Sequence, residues 1–233
     1  YVDIRIPNEF AQVGKYNLGI TAGVETDIVS PEFIEGCNKM NANIVPSKFT
    51  AKTFTGTVYD RTEEQNGQKI KLGEHRVTKP MMVLGEGVDV DVYKPFDVND
   101  NRVQFTDDLD DMLKDENFVF LHVGLWGKGG YNEDRKNITL MIKTFIETFS
   151  NTSKEKMPAL LLKTNGSDFS VLDRYDTKKR VKGIIEQFKG LDIPNIYLIH
   201  GDLTIDEMAI LYNYPKVKAF LTCTHGEGFG RPM

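Results

Sequence analysis

The sequence is poor in cysteine, histidine and tryptophan, and it has no long apolar run. Two cysteines, Cys37 and Cys223, cannot build a disulfide framework, and neither stands in a CxxC pair. The four histidines (75, 122, 200 and 225) are scattered without the His/Cys/Asp spacing of a zinc site, so no metal is expected. No stretch reaches the roughly 18 apolar residues that a membrane-spanning helix needs, and no secretory signal is visible. An excess of positive charge is also missing: the net charge is −5, which argues against a nucleic-acid partner. No internal repeat or low-complexity tract is evident. Together these absences suggest a reducing, cytoplasmic setting.

What is present is ordinary for a globular protein. Hydrophobic residues make up 40% and charged residues 27% of 233 positions, enough for one large or two small domains with a real core. The chain opens on Tyr1 with a strand-like stretch, Val2 to Ile6, already under way. It stops at Met233, just after a proline that suits the first turn of a helix. Both ends therefore read as cuts in a longer protein.

From about residue 118 the sequence alternates regularly. The apolar run at 118–123 reads as a buried strand, and 159–162, 196–199 and 217–223 as the next three strands. Between them lie helical patterns. One starts about Asp134 and carries Ile138, Met141, Ile142, Phe145, Ile146 and Phe149; another carries Val181, Ile184, Ile185 and Phe188. A third opens with a capping box at Thr204 and Glu207 and runs to about Tyr212. Strand and helix in strict alternation imply right-handed crossovers and a parallel, Rossmann-like sheet. Such sheets bind ligands beyond the carboxyl ends of their strands, where this sequence puts 124–130, 163–166, 200–202 and 224–230. Residues 1–83 are less periodic, with short strand candidates at 2–6, 18–21 and 44–45. Residues 60–80 read as an exposed hairpin or insertion, and 85–112, with the acidic stretch Asp107, Asp108, Asp110 and Asp111, as a connector.

The loop Glu227-Gly228-Phe229-Gly230-Arg231-Pro232 carries the clearest chemistry. Glycines after a buried strand and a proline at a helix start expose backbone N–H groups that lack intrahelical partners, which makes an anion site. Glu227 beside it is an acceptor suited to sugar hydroxyls. A tight strand-to-helix turn with a surface glutamate accounts for the same residues. Arg135 and Lys136 form a second candidate. Two cations at a helix start oppose the dipole by about 0.3–1 kcal/mol each, a sign that a bound diphosphate would reverse. Taken singly, either could instead point into solvent.

The stretch from Ala219 to Pro232, ending Thr-His-Gly-Glu-Gly-Phe-Gly-Arg-Pro, resembles the signature of retaining glycosyltransferases of the two-domain GT-B fold (group 1, or family 4). Gly87-Val88-Asp89 with Tyr93 and Pro95 is similar to the family segment leading from acceptor to donor domain. Val45-Pro46-Ser47 resembles the close of the acceptor domain's last strand. Gly124 with Arg135-Lys136-Asn137 resembles the basic diphosphate site, and His200-Gly201 the strand end that meets the nucleobase.

The resemblance implies an α/β GT-B fold: a partial Rossmann-like acceptor domain at 1–84, a connector at 85–112, and an incomplete donor domain at 113–233. It implies sugar transfer from a nucleotide-diphosphate sugar with retention, without metal or other cofactor, to a sugar, lipid or protein acceptor. Donor-binding candidates are Gly124, Arg135, Lys136, His200, Gly201, Glu227, Gly228, Phe229 and Gly230; catalytic candidates are Glu227, Lys136 and Glu25. The family's second glutamate would fall at position 235, past Met233, so the piece alone is expected to be inactive. Two departures stand out. Leu125-Trp126 replaces the family's Gly-Arg, a gap that Arg135 or Lys128 could fill. Where the family commonly has an acceptor-domain histidine, 22–25 read Ala-Gly-Val-Glu; Glu25 could serve there, or be a structural carboxylate at a helix start. These departures motivate alternatives: a non-catalytic nucleotide- or sugar-binding module, or a GT-B sugar-nucleotide epimerase or phosphorylase. Asp89-Val90-Asp91 is read as connector rather than as a metal-binding triplet, and 124–130 is neither a P-loop nor GxGxxG.

Overall fold

A computed structural model describes residues 1–23, 26–65, 68–129, 133–227, 230 and 232. The chain forms two units, one of residues 1–87 with 226–231 and one of 88–225 with 232–233.

The first unit is built on a four-stranded parallel sheet, β1 (Val2–Ile4), β2 (Leu18–Ile20), β3 (Ala42–Val45) and β6 (Met81–Val83), in that spatial order. Two helices link its strands. α1 (Pro31–Lys39) starts where Ser30 accepts the Phe33 N–H and proline takes the first helical position; α2 (Lys48–Gly56) starts on the Ser47 cap. Ile34, Cys37, Phe54 and Val45 form the core beside the sheet. Gly36 is where α1 meets the turn at residues 7–9: a methyl there would stand 1.8 Å from the Pro7 carbonyl oxygen. Residues 59–75 form an antiparallel hairpin, β4 (Tyr59–Gln65) and β5 (Gln68–His75), as the polar composition suggests.

The second unit carries another four-stranded parallel sheet: β7 (Val119–Leu125), β8 (Ala159–Asn165), β9 (Ile196–Ile199) and β10 (Val217–Phe220). Its helices are α3 (Gln104–Met112), α4 (Ile138–Phe149), α5 (Val171–Ile185) and α6 (Ile205–Asn213). β8 has apolar neighbours on both faces, which is why Ala159 to Leu162 is an unbroken buried run. One core packs Leu121, Leu161 and Ile210 on one side of the sheet; the other packs Leu160 and Leu162 against Met141, Ile142 and Phe145. The acidic stretch read as connector is helical. In α3 Leu109 turns into the core, followed by Leu113, while Arg102 pairs with Asp107 and Asp110 outside.

The strand order is β10-β7-β8-β9. The chain therefore steps from β7 through β8 to β9, then crosses back to lay β10 on the other side of β7. That reversal between β7 and β10 is a topological switch point, the place beyond the strands' carboxyl ends where open α/β sheets bind ligands.

Two boundaries differ from the sequence reading. α4 begins at Ile138, four residues after Asp134, because Asn137 sits at φ 55° and interrupts helical geometry. The Asp134 carboxylate instead accepts the Ile138 N–H at 3.1 Å from the preceding turn. β10 ends at Phe220 rather than Cys223, and the chain beyond it bonds to the turn before α4 through His225 N–H and the Arg135 carbonyl.

Candidate functional site

At the switch point the connection from β7 to α4 meets the chain that leaves β10. After β7, His122 donates from Nδ1 to the Leu221 carbonyl at 2.9 Å, tying the end of this strand to the chain leaving β10. Gly124 follows: a methyl there would stand 3.0 Å from His122 Nε2, a tight approach, and in ordinary contact with Lys136 Cδ at 3.9 Å, so the lysine stem runs beside this strand end. Arg135 and Lys136 occupy the turn before α4, with Lys136 buried and Arg135 exposed. The loop after β10 is bonded to that turn. His225 N–H donates to the Arg135 carbonyl at 3.0 Å, and Thr224 Oγ1 to the same oxygen at 3.3 Å. Further on, the Tyr212 hydroxyl of α6 holds the Pro232 carbonyl at 2.9 Å. The basic turn and the root of the glutamate loop, about 90 residues apart in sequence, are thus hydrogen-bonded neighbours.

The second cluster lies at the ends of β8 and β9. The Asp173 carboxylate of α5 accepts Gly166 N–H at 2.9 Å, Ser167 N–H at 2.9 Å and Ser167 Oγ at 3.2 Å. It also takes His200 Nε2–H at 2.8 Å, with both side chains at least nine-tenths buried. Burial alone would raise its pKa; the bonds from His200, Gly166 and Ser167 outweigh that and bring it down to about 2. The His200 imidazole is therefore turned into the protein, and its backbone with that of Gly201 (φ 142°) faces the strand-end loops. Lys163 Nζ donates to the Gly201 carbonyl at 2.6 Å and lies over the Phe169 ring at 5.3 Å. Burial lowers its pKa, with Asp202 acting in the opposite direction.

Sequence reasoning does not single out Asp173 or Arg180, and places Lys163 only within the strand-end stretch 163–166. Arg180 explains how the loop after β7 is supported where the family pattern has Gly-Arg. It donates to the carbonyls of Trp126 and Gly127 at 3.2 and 3.1 Å, and its guanidinium lies 5.5 Å over the buried Trp126 ring. Nothing in the local sequence pairs position 180 with position 126; only packing of α5 beside the sheet does. Buried polar atoms concentrate at the same strand ends. Thr164 Oγ1, Asp134 Oδ1 and Asn137 Oδ1 find no hydrogen-bond partner among the described residues, so this rim keeps capacity for polar ligand atoms.

The remaining candidates fall differently. Glu227 is half-buried and Gly230 takes φ 79°, a value that favours glycine; both belong to the segment that groups with the first unit. Glu25, Gly228 and Phe229 lie outside the described residues. Asp89 caps its own turn, accepting the Asp91 N–H at 3.0 Å.

No protein-family model and no curated protein matches the chain. Solved structures do match its fold. An alpha,alpha-trehalose-phosphate synthase (UDP-forming) from Burkholderia xenovorans, in complex with glucose-6-phosphate, superimposes with TM-score 0.53 at 11% identity, over 91% of this chain and 48% of that one. The Candida albicans trehalose-6-phosphate phosphatase N-terminal domain gives 0.52 at 13% identity, over 91% and 46%. An E. coli structure, "Trehalose-6-phosphate from E. coli bound with UDP-2-fluoro glucose", gives 0.50 at 10%, over 93% and 54%. The chain thus spans about half the length of these structures, and the likeness fixes the fold: α/β, of GT-B type, with Rossmann-like parallel sheets. Among the described residues no helix is long and apolar enough to cross a membrane.

Proposed function

We propose that the chain is the nucleotide-sugar-binding part of a GT-B glycosyltransferase, which moves a sugar from a nucleotide-diphosphate donor to an acceptor with retention of configuration. The observation that supports it best is the pair of bonds from Thr224 and His225 to the Arg135 carbonyl. Through them, two segments that resemble the family's diphosphate and sugar sites meet at a topological switch point. In this reading Lys136 and Arg135 offset the charge that develops on the leaving diphosphate, a role that fixed cations fill without a metal. The amides of 228–230 take phosphate and sugar oxygens, Glu227 accepts sugar hydroxyls, and the Gly201 backbone borders the base. Glu25 belongs to the acceptor side. The two structures described with UDP chemistry and a sugar phosphate, from Burkholderia and E. coli, make uridine nucleotides the first ligands to try.

Titration calorimetry with UDP, GDP and ADP tests this. At least one should bind, and Lys136→Ala or Glu227→Gln should weaken it by about 10- to 100-fold, the worth of one charge-assisted hydrogen bond. Absence of binding at millimolar concentration for all three would refute it. A non-catalytic nucleotide-binding module is the second reading. It is favoured by Leu125-Trp126, which stand where the family has Gly-Arg, Trp126 being buried rather than turned to a ligand. Turnover of any nucleotide sugar by a longer protein containing this chain would remove that option.

A further inference from the structure

Lys163 follows the apolar residues of β8, and the roles proposed above leave it unused. It is nine-tenths buried near the end of that strand. Its ammonium gives one N–H to the Gly201 carbonyl at 2.6 Å and lies over the half-exposed Phe169 ring at 5.3 Å. Among the described residues no carboxylate forms an ion pair with it; Asp202 acts on it only through its field. A buried charge needs partners for its remaining donors, so Lys163 keeps capacity for an acceptor at the rim between Gly201 and Phe169. Two observations say which kind. The first is charge. The Asp202 carboxylate already opposes the ammonium, so a diphosphate brought here would meet that carboxylate, whereas a neutral carbonyl would not. The second is position. The strand order β10-β7-β8-β9 sets Gly201, just past β9, two strand spacings or about 10 Å from the end of β7. Arg135 and Lys136 follow β7, so Lys163 stands toward the end of a bound nucleotide that is remote from its diphosphate.

We propose that Lys163 selects the base of the donor: it donates to a keto oxygen on the edge of the base farthest from the sugar, so that uracil or guanine is taken in preference to cytosine or adenine. The inference rests on the donor-site reading above. Uracil and guanine carry a carbonyl oxygen at that edge, where cytosine and adenine carry an amino group. An ammonium has three donors and no acceptor. An amino group there sets N–H against N–H and takes water from a buried charge without replacing it. The acceptor nearest to hand, the Gly201 carbonyl, is already engaged by Lys163 itself. Phe169 adds a ring face that suits any base, so it contributes affinity without choice. Discrimination therefore falls to the lysine.

Titration calorimetry of residues 1–233 with UDP, CDP, GDP and ADP tests it. Within whichever ring size binds, the keto nucleotide should bind about tenfold or more tightly than the amino one, the worth of one hydrogen bond to a charged group. Lys163→Met keeps the length and apolar stem of the side chain, and should bring the UDP/CDP or GDP/ADP ratio to within about twofold of one. Lys163→Gln, whose amide also carries an acceptor, should shift the ratio toward the amino base. A lysine that only braced the Gly201 loop would, on substitution, weaken all the nucleotides alike and leave the ratio unchanged; that result would overturn the proposal. Equal or tighter binding of CDP than UDP, or of ADP than GDP, by the wild-type chain would overturn it as well, in a comparison that needs no variant to fold. Binding of none of the four at millimolar concentration is a different outcome: it would refute the donor-site reading itself, and the inference with it.

Discussion

Asp173→Asn isolates the strand-end cluster. The wild-type carboxylate receives four hydrogen bonds, from Gly166 N, Ser167 N, Ser167 Oγ and His200 Nε2. Its pKa falls from the ordinary value of 3.8 to about 2. A shift of that size corresponds to about 2 kcal/mol at neutral pH, and screening at the rim of the sheet reduces it to about 1–2 kcal/mol. The sign follows from the direction of the shift. A depressed carboxylate contributes its full stabilisation above the unfolded pKa and loses it as the pH falls through the folded one. The contribution is thus complete at pH 5 and above, about half gone by pH 3, and nearly absent at pH 2.

The asparagine variant keeps the shape but turns one acceptor into a donor. His200 Nε2–H or a loop amide then loses its partner, an added cost of about 1 kcal/mol. Urea denaturation followed by circular dichroism should therefore give a loss of about 2–3 kcal/mol at pH 7 that narrows as the pH approaches 3. Hydrogen exchange should show the Gly166 and Ser167 amides deprotected. A variant within about 0.5 kcal/mol of wild type at pH 7, the ordinary scatter of surface substitutions, would refute the reasoning. So would a deficit that is the same at pH 3 as at pH 7.

Two further outcomes follow from packing. Gly36→Ala should destabilise the first unit by at least about 2 kcal/mol in urea, although alanine normally gains about 1 kcal/mol over glycine inside a helix. The added methyl would meet the Pro7 carbonyl oxygen at 1.8 Å; a variant as stable as wild type would show that the contact relaxes without cost. With Ellman's reagent the folded protein should titrate one thiol, the exposed Cys223, and two after unfolding. Cys37 is buried and pushed up to about 12, while partial burial raises Cys223 too, so its rate should climb steeply with pH.

The second unit is legible because its central strand β8 is buried on both faces and its strands alternate regularly with helices. The runs at 159–162 and 196–199 read as strands from their apolar residues and their place between helical patterns, and the Thr204–Glu207 capping box marks a helix start directly in the residues. The first unit is less so. Its strands are three or four residues long, and α1 and α2 are short helices whose cores rest on a few contacts. β6 was missed because Met81–Val83 is mostly exposed and shows no alternation. α3 reads as a connector in sequence because four aspartates in five residues look like a solvated charge run. Spaced at helical period, those aspartates are the outer face of a helix whose inner face carries Leu109.

Candidate site residues divide along the same line. Gly124, Arg135, Lys136 and Gly201 are read from residue type at a strand end or helix start, since glycine and paired cations carry local meaning there. Lys163, Asp173 and Arg180 carry none: a lysine on a strand and charged residues on a surface helix normally reach water. What changes their meaning is that α5 packs across the ends of β8 and β9, turning one face of a charged helix inward. That face gives Asp173 to His200 and Arg180 to Trp126. The inward polar residues and the outward apolar ones of α5 are thus two sides of one inversion. Its weak amphipathicity in sequence results from burying charge that supports the strand-end loops and exposing Val171, Leu172 and Tyr175. Apolar side chains left outside in this way forgo about 1.5–3 kcal/mol each of burial, so the inward charges of α5 are kept at the expense of hydrophobic stabilisation.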